Sequence, residues 1–289
     1  MSEPVWEDLI ALNSRHVGRD VDVVGPAHTH YDANSDEVAE WIKAGIDFEA
    51  KLPNDPYELP TTADREGYYG PQHLSYWASG LRDLNNLLAA ADRLGVDVKT
   101  FFDIGCASGR VVRHFSAQRP DIETIGSDIN RKHIDWMIRY LSKKLIVFQN
   151  HSIPSIPLPD NSVDLISAFS VFTHIEAFEG AWLMELRRIL RPGGIAWVTV
   201  HTEHTWLEME DDWPLYRGTA KHPDFAKYDR TEPFPDERLV FRWHSNRSYS
   251  SNTFYKTDYI RENWARYLDV AEVHRRLPGF QDVVVLRKS

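Results

Sequence analysis

The stretch Asp103-Ile104-Gly105-Cys106-Ala107-Ser108-Gly109 sets one acid, two glycines and small residues at a spacing that suits ligand binding. A glycine turn that leads from a strand into a helix offers backbone N–H groups and the positive end of a dipole. The acid selects what can sit there: a carboxylate repels a pyrophosphate and suits a cationic or amino-bearing ligand. A dinucleotide fingerprint would have to open at Gly105, where Ala107 and Arg110 break the Gly-x-Gly-x-x-Gly pattern. A second acid, Asp128, ends the apolar run that starts at Ile122, a place from which a carboxylate can accept both hydroxyls of a ribose. Capping the helix that follows Asn130 is the alternative reading of Asp128. Two histidines stand where strands should end: His174 beyond Val163–Phe169, and His201 at the end of Ile195–His201, with Glu203 and His204 next to it. An unperturbed pKa of about 6.5 suits a general base at neutral pH. A hydrogen-bonded structural histidine is the plainer reading of each.

Strands and helices must alternate to place these groups. We expect strands at about 98–103, 122–128, 145–149, 163–169 and 195–201, with helices at about 109–118, 131–141 and 176–190 between them. That alternation implies a mostly parallel sheet with right-handed crossovers. Upstream, Leu74, Trp77, Leu81, Leu84, Leu87, Leu88 and Ala91 repeat at helical spacing up to the stop at Gly95. Residues 1–95 therefore read as a helical N-terminal cap, and 96–289 as the main domain. An insertion at 202–256 is too long for a bare connection, and its stretch 238–255 reads as a hairpin around Asn246. A helix from Thr257 to Tyr267, capped by Thr257, precedes two short strands at about 269–274 and 281–287, joined at Pro278-Gly279.

The Asp-x-Gly-x-Ala-x-Gly turn resembles the first motif of the class I S-adenosylmethionine-dependent methyltransferases, with Ala107 in place of the usual middle glycine. Four more features are similar to that family: Asp128, the approach Ile156-Pro157-Leu158-Pro159-Asp160 to the fourth strand, the loop Ser170–Ile175, and the turn Leu190-Arg191-Pro192-Gly193-Gly194. The loop resembles a bacterial small-molecule and saccharide methyltransferase subgroup. The resemblance implies a Rossmann-like α/β fold, doubly wound, with seven strands in the order 3-2-1-4-5-7-6 and an antiparallel seventh strand. It implies S-adenosyl-L-methionine as cofactor, held by Asp103, Gly105, Cys106, Ala107, Gly109, Asp128, Ile129 and Ser170. The family commonly places an acid beside the adenine amine; here Asn150-His151-Ser152 occupies that place, and Asn150, Ser152 or backbone groups would serve instead. Material after strand five shapes the acceptor pocket in this family, which makes 202–256 a substrate lid. Tyr69, Trp206 and Trp213 are the candidate acceptor contacts, with self-packing of the lid aromatics as the alternative.

Composition narrows the acceptor. A net charge of −10 over 289 residues argues against a nucleic-acid substrate. The single cysteine fits a reducing cytoplasm. Residues 1–8 lack the pattern of a signal peptide, and no apolar run spans a bilayer. The acidic cluster Glu208, Glu210, Asp211 and Asp212 reads as a solvated loop before it reads as a Mg²⁺ site. We expect a cytoplasmic enzyme that methylates an oxygen or nitrogen of a small molecule or saccharide, with His174 or His201 as base. The alternatives are a non-catalytic cofactor-binding module and a protein or nucleic-acid methyltransferase.

Overall fold

A computed structural model describes residues 26–28, 34–243, 250–277 and 279–289. The N-terminal reading at 1–8, the tip of the hairpin at Asn246, and Pro278 lie outside the described residues. The described residues form two compact units, and the strand Val163–Ala168 gives its first half to one and its second half to the other. The division falls after Asn150, and the N-terminal helices fall in the same unit as the first three sheet strands.

The first unit runs to Asn150 and includes Val163–Leu165. Its sheet strands are β3 (Thr100–Ile104), β4 (Glu123–Asp128), β5 (Ile146–Gln149) and the start of β6 (Val163–Ala168), in the order β5-β4-β3-β6. β3 pairs parallel with β4, and β4 with β5. Asp164 Oδ2 accepts the backbone N–H groups of Lys99 (2.9 Å) and Thr100 (2.8 Å), which pins the start of β3. Two short strands, β1 (Pro26–His28) and β2 (Leu59–Pro60), pair apart from this sheet.

Five α-helices lie among the described residues of this unit. α1 (Ser35–Lys43) opens with a capping box between Asn34 and Glu37, and α2 (Phe48–Lys51) is capped by Asp47. α3 (His73–Arg93) carries the expected long apolar face, buried at Leu74, Trp77, Leu81, Leu84, Leu87 and Ala91. It lies so close to α4 (Val112–Gln118) that a side chain at Gly80 would come within 2.0 Å of the Arg110 carbonyl. α5 (Arg131–Tyr140) is capped by the Asn130 side chain, which accepts the Lys132 N–H at 3.0 Å. The core stacks Phe101 on Phe115 at 3.6 Å between ring centroids. Within it Arg113 donates through Nε and Nη2 to Asp55 at 2.7 and 3.1 Å, with neither side chain exposed.

The second unit holds the end of β6, then α6 (Glu179–Ile189) and the long β7 (Leu190–Thr202). β10 (Asp269–His274) and β11 (Asp282–Arg287) complete the order β6-β7-β11-β10, with β11 antiparallel to β7. Numbered as in the expected sheet, the two orders are 3-2-1-4 and 4-5-7-6. Strand five starts five residues earlier than expected because Gly193 and Gly194 exchange backbone hydrogen bonds with Lys288 (2.7 and 3.0 Å), with Gly193 at a φ of 85°.

The insertion after β7 builds α7 (Glu203–Glu208), α8 (Pro214–Thr219), β8 (Arg238–Arg242) and β9 (Ser251–Tyr255). β8 and β9 are antiparallel, and β9 joins β7 in parallel through His201↔Phe254 and Thr202↔Tyr255. The following helix, α9 (Thr257–Asn263), begins after Lys256 with no side-chain cap, and Glu203 Oε2 accepts both the Thr257 N–H and its hydroxyl (2.8 and 3.0 Å), so Thr257 is its first residue rather than its cap. No helix among the described residues is long and apolar enough to cross a membrane.

Candidate functional site

In the first unit the tip of β3 turns through three left-handed residues, Gly105 (φ 70°), Ala107 (φ 47°) and Gly109 (φ 85°). Glycine tolerates that region freely; an alanine there is strained and persists only where neighbours hold it. The hold is Asp128: its Oδ2 accepts the Ala107 N–H at 2.9 Å and its Oδ1 the Asn130 N–H at 2.7 Å. Gly105 and Cys106 meanwhile both donate to the Ser127 carbonyl, at 2.8 and 3.0 Å. A Cβ at Gly109 would sit 2.6 Å from Leu141 Cδ1, so a side chain there would have to displace that of Leu141, and the φ of 85° favours glycine in any case. Asp103 is buried at 2% exposure on the same strand tip.

Asp128 does not cap α5 itself, a role Asn130 fills. Burial raises its pKa, while His133 and the two N–H groups pull the other way. Each carboxylate oxygen keeps a lone pair beyond its one backbone bond, so the group can still accept a pair of hydroxyls. Ile129 offers its carbonyl to Gln149 Nε2 at 3.0 Å, and Asn150 is buried beyond β5 with its N–H on the Asp128 carbonyl at 3.1 Å. Cys106 is buried and its thiol is pushed well up by burial and by Asp128 and Asp103.

Residues 61–70 are tied to this turn in a way the sequence does not reveal. The Ser108 hydroxyl bonds the Asp64 carbonyl and His133 Nδ1 (2.8 Å to the latter), and Lys132 Nζ meets Asp64 Oδ1 at 3.2 Å. Asn130 Nδ2 donates to Glu66 Oε1 at 2.8 Å. Tyr69 adopts a left-handed φ of 61° and sets its ring edge-on to Tyr76 at 6.2 Å.

The second unit holds Ser152, Ser170, His174 and His201. Ser152 lends its carbonyl to Trp182 Nε1 at 3.3 Å. Ser170 takes a φ of 56°, donates its N–H to Thr199 Oγ1 at 2.7 Å, and pairs its hydroxyl with the Gln281 side chain. Thr253 N–H donates to the Thr173 carbonyl (2.8 Å) and the Tyr255 hydroxyl to the Phe172 carbonyl (3.1 Å), so β9 fastens the loop after β6.

His174 Nδ1 lies 2.5 Å from the Ser251 carbonyl oxygen, and the Ser251 hydroxyl returns a bond to the His174 carbonyl at 2.8 Å. A carbonyl only accepts, so Nδ1 carries the proton, and in the neutral ring Nε2 is the basic nitrogen. His201 differs. It is buried between Phe254 and Phe280, and neither ring nitrogen has a hydrogen-bond partner among the described residues. Burial, with His174 nearby, lowers its pKa to about 3. That leaves His201 neutral at ordinary pH and too weakly basic to take a proton readily, so the two histidines are not equivalent.

Trp206 sits in the centre of the insertion's own core with Met209, Leu215, Phe234, Leu239, Phe241 and Phe254, stacked on Phe241 at 5.8 Å. With no exposed surface it supports the insertion and has no ring face to offer an acceptor. Trp213 lies at the margin of that core, against Phe280 at 5.5 Å and under the Arg276 guanidinium. The acidic cluster does not converge: Glu208 pairs with Arg275, and no group of three potential metal ligands comes together among the described residues.

A parallel α/β sheet with a left-handed glycine turn beyond one strand and an acid ending the next defines a nucleoside-binding domain. Comparison with known proteins narrows the class. Residues 102–198 match a methyltransferase domain family. An uncharacterized methyltransferase of Schizosaccharomyces pombe is 30% identical over 101 residues, 32% of this chain and 36% of that one. A malonyl-[acyl-carrier protein] O-methyltransferase of Hahella chejuensis is 21% identical over 132 residues, 46% of this chain and 47% of that one. The chain thus spans between about a third and a half of the length of the curated relatives it matches. A Listeria monocytogenes structure described as an S-adenosylmethionine-dependent methyltransferase shares the fold, with a TM-score of 0.52 at 13% identity over 73% of this chain and 99% of that one. The match thus lies in residues 102–198, about a third of the chain, and the fold is one that S-adenosylmethionine-dependent methyltransferases share.

Removing the Asp128 carboxylate should act twice. Asp128→Ala is expected to weaken S-adenosylhomocysteine binding by about 1.5–3 kcal/mol, the scale of hydrogen bonds to a charged group. It should also lower the melting temperature, because the Ala107 and Asn130 N–H groups lose their acceptor. Calorimetry alongside a thermal melt separates the two effects; unchanged affinity with a lowered melt would assign the acid to the turn alone.

Proposed function

We propose that the chain transfers the methyl group of S-adenosylmethionine to a hydroxyl oxygen of a small molecule or saccharide. The observation that carries this reading is the His174 tautomer, fixed by the Ser251 carbonyl. The bound cofactor supplies an activated methyl on a sulfonium. Asp103 faces the amino-bearing end, the turn 105–109 lies against the nucleoside, and Asp128 accepts the ribose hydroxyls, with Asn150 near the adenine. In-line displacement places most of the protein's task in orientation. A hydroxyl also needs its proton removed; Nε2 of His174 takes it, while the Ser251 carbonyl holds the imidazole in place. His201, enclosed by Phe254 and Phe280, stays neutral and takes no proton from the acceptor. In the unit that holds His174, Trp213 is the aromatic contact that remains for the acceptor once Trp206 is assigned to the core.

Calorimetry with S-adenosylhomocysteine and NAD, followed by methyl-transfer assays over alcohol, sugar, amine and carboxylate panels, tests the reading. Binding of S-adenosylhomocysteine but not NAD, with turnover on hydroxyl acceptors, is the expected result. NAD binding without S-adenosylhomocysteine binding would sink it.

A further inference from the structure

In the second unit β9 separates two sets of side chains, because successive residues of a strand face opposite sides. Phe254 belongs to the insertion's own core, and Asn252 Nδ2 donates to Thr219 Oγ1 of α8 at 3.1 Å. The other side carries three buried hydroxyls in a row, those of Ser251, Thr253 and Tyr255. Each meets a carbonyl of the loop that bears His174. Ser251 Oγ donates to the His174 carbonyl at 2.8 Å, and Thr253 Oγ1 to the Ile175 carbonyl at 3.3 Å. The Tyr255 hydroxyl lies 3.1 Å from the Phe172 carbonyl and 3.3 Å from that of Ile175. The Thr253 N–H adds the Thr173 carbonyl at 2.8 Å. The consecutive carbonyls of residues 172–175 are thus all held from one strand.

A hydroxyl is a costly way to fill buried space, since it must find a partner there. The loop supplies that partner and has the matching need. Residues 169–178 are neither helix nor strand, so their carbonyls have no regular ladder to join. Burial and the nearby Glu179 raise the Tyr255 phenol well above its ordinary value, so it keeps its proton and stays a donor. Glu179 is itself occupied by Arg238, Tyr259 and Trp264. The bond from His174 Nδ1 to the Ser251 carbonyl joins the same two segments. It forms only while loop and strand stay in register, and the hydroxyls on either side of it fix that register.

We propose that Thr253 and Tyr255 are positioning residues for His174: their hydroxyls hold the loop where Nδ1 meets the Ser251 carbonyl and Nε2 is left basic. This rests on the reading of His174 as the base. The insertion then does more than border an acceptor. One face of β9 is anchored in the insertion's core, and the other sets the tautomer of the imidazole.

The test reads the imidazole directly, by nuclear magnetic resonance of the ring nitrogens in the full chain labelled at histidine. At about pH 8 the ring is neutral, and the His174 signal is assigned by its loss in His174→Gln. In the wild type Nδ1 should carry the proton. Thr253→Val and Tyr255→Phe each keep the side chain's shape and remove one hydroxyl. Each should lower the ratio of the Nδ1–H to the Nε2–H tautomer by about 2- to 10-fold, the range for one neutral hydrogen bond. Thr253→Ser returns a hydroxyl and should return the wild-type ratio. Met209→Ala opens the insertion's core away from these hydroxyls and should leave the ratio alone even if the protein melts earlier. Thr253→Val decides the matter if Tyr255→Phe does not fold. A ratio unchanged in the variants that lose a hydroxyl, a Thr253→Ser that behaves as Thr253→Val, or an equal fall in Met209→Ala overturns the positioning role alone. A wild-type His174 protonated at Nε2 overturns the base reading beneath it as well.

Discussion

Acidification below about pH 6.5 should destabilise this protein steeply, by about 1.4 kcal/mol per pH unit for each of two buried histidines. His114 and His201 are the two, each lowered to about 3 from an ordinary value of 6.5, chiefly by burial. At His114 the neighbouring Arg113 adds to the lowering while Asp55 and the Trp77 carbonyl oppose it. Space explains why neither ring can hydrate. His114 Cδ2 would lie 2.8 Å from a Cβ on Gly80, and its Nε2 is already committed to the Trp77 carbonyl at 2.7 Å. His201 is enclosed by Phe254 and Phe280.

Both shifts are downward, so the unfolded chain takes up protons that the folded chain refuses. The stability these histidines contribute is complete above pH 6.5 and is lost as pH falls toward 3. Over that span the loss approaches 4–5 kcal/mol per histidine, a large share of the roughly 5–15 kcal/mol that holds an ordinary domain folded. Urea unfolding followed at stepwise pH values measures the slope. His114→Gln and His201→Gln should each flatten it by about 1.4 kcal/mol per pH unit. An unfolding free energy that stays level down to pH 4.5 would show that water reaches the rings after all.

The sheet was legible because its strands are short apolar runs punctuated by glycine, proline and acids, and its helices carry a clear apolar stripe. The long helix was expected at Leu74–Leu94 and runs from His73 to Arg93. The glycine turn was legible for the same reason: Gly105 and Gly109 stand where backbone must turn left-handed. Three things were not legible. Residue type alone does not say whether an aromatic stacks on a ligand or fills a core, and the fully buried Trp206 does the second. Arg65 lies in the polar segment Asp64–Gly70, and only contacts distant in sequence reveal that it is buried. The division of the chain after Asn150 follows from where contacts fall, and no change in composition marks it.

Replacing His174 should have the largest effect on turnover. His174→Ala is expected to lower kcat by about 10²–10⁴-fold on a hydroxyl acceptor, the range for loss of a general base. S-adenosylhomocysteine affinity should hardly change, because Gly105, Gly109 and Asp128, the groups assigned to the cofactor, are left intact. The effect should also be graded. Ser251→Ala removes the hydroxyl that bonds the His174 carbonyl but keeps the Ser251 carbonyl that fixes Nδ1. Turnover should therefore fall far less, by about tenfold or under, the cost of one neutral hydrogen bond. Trp213→Ala should instead raise the acceptor's KM with kcat nearly constant, as lost binding contacts do. Single-turnover methyl transfer with the wild type and the three variants separates these outcomes. Full turnover by His174→Ala from about pH 6 to 9 would remove the hydroxyl reading, because an acceptor that needs no base at those pH values is an amine or an already ionised carboxylate. A loss in Ser251→Ala as deep as in His174→Ala would show that the loop's position, rather than the imidazole's basicity, sets the rate.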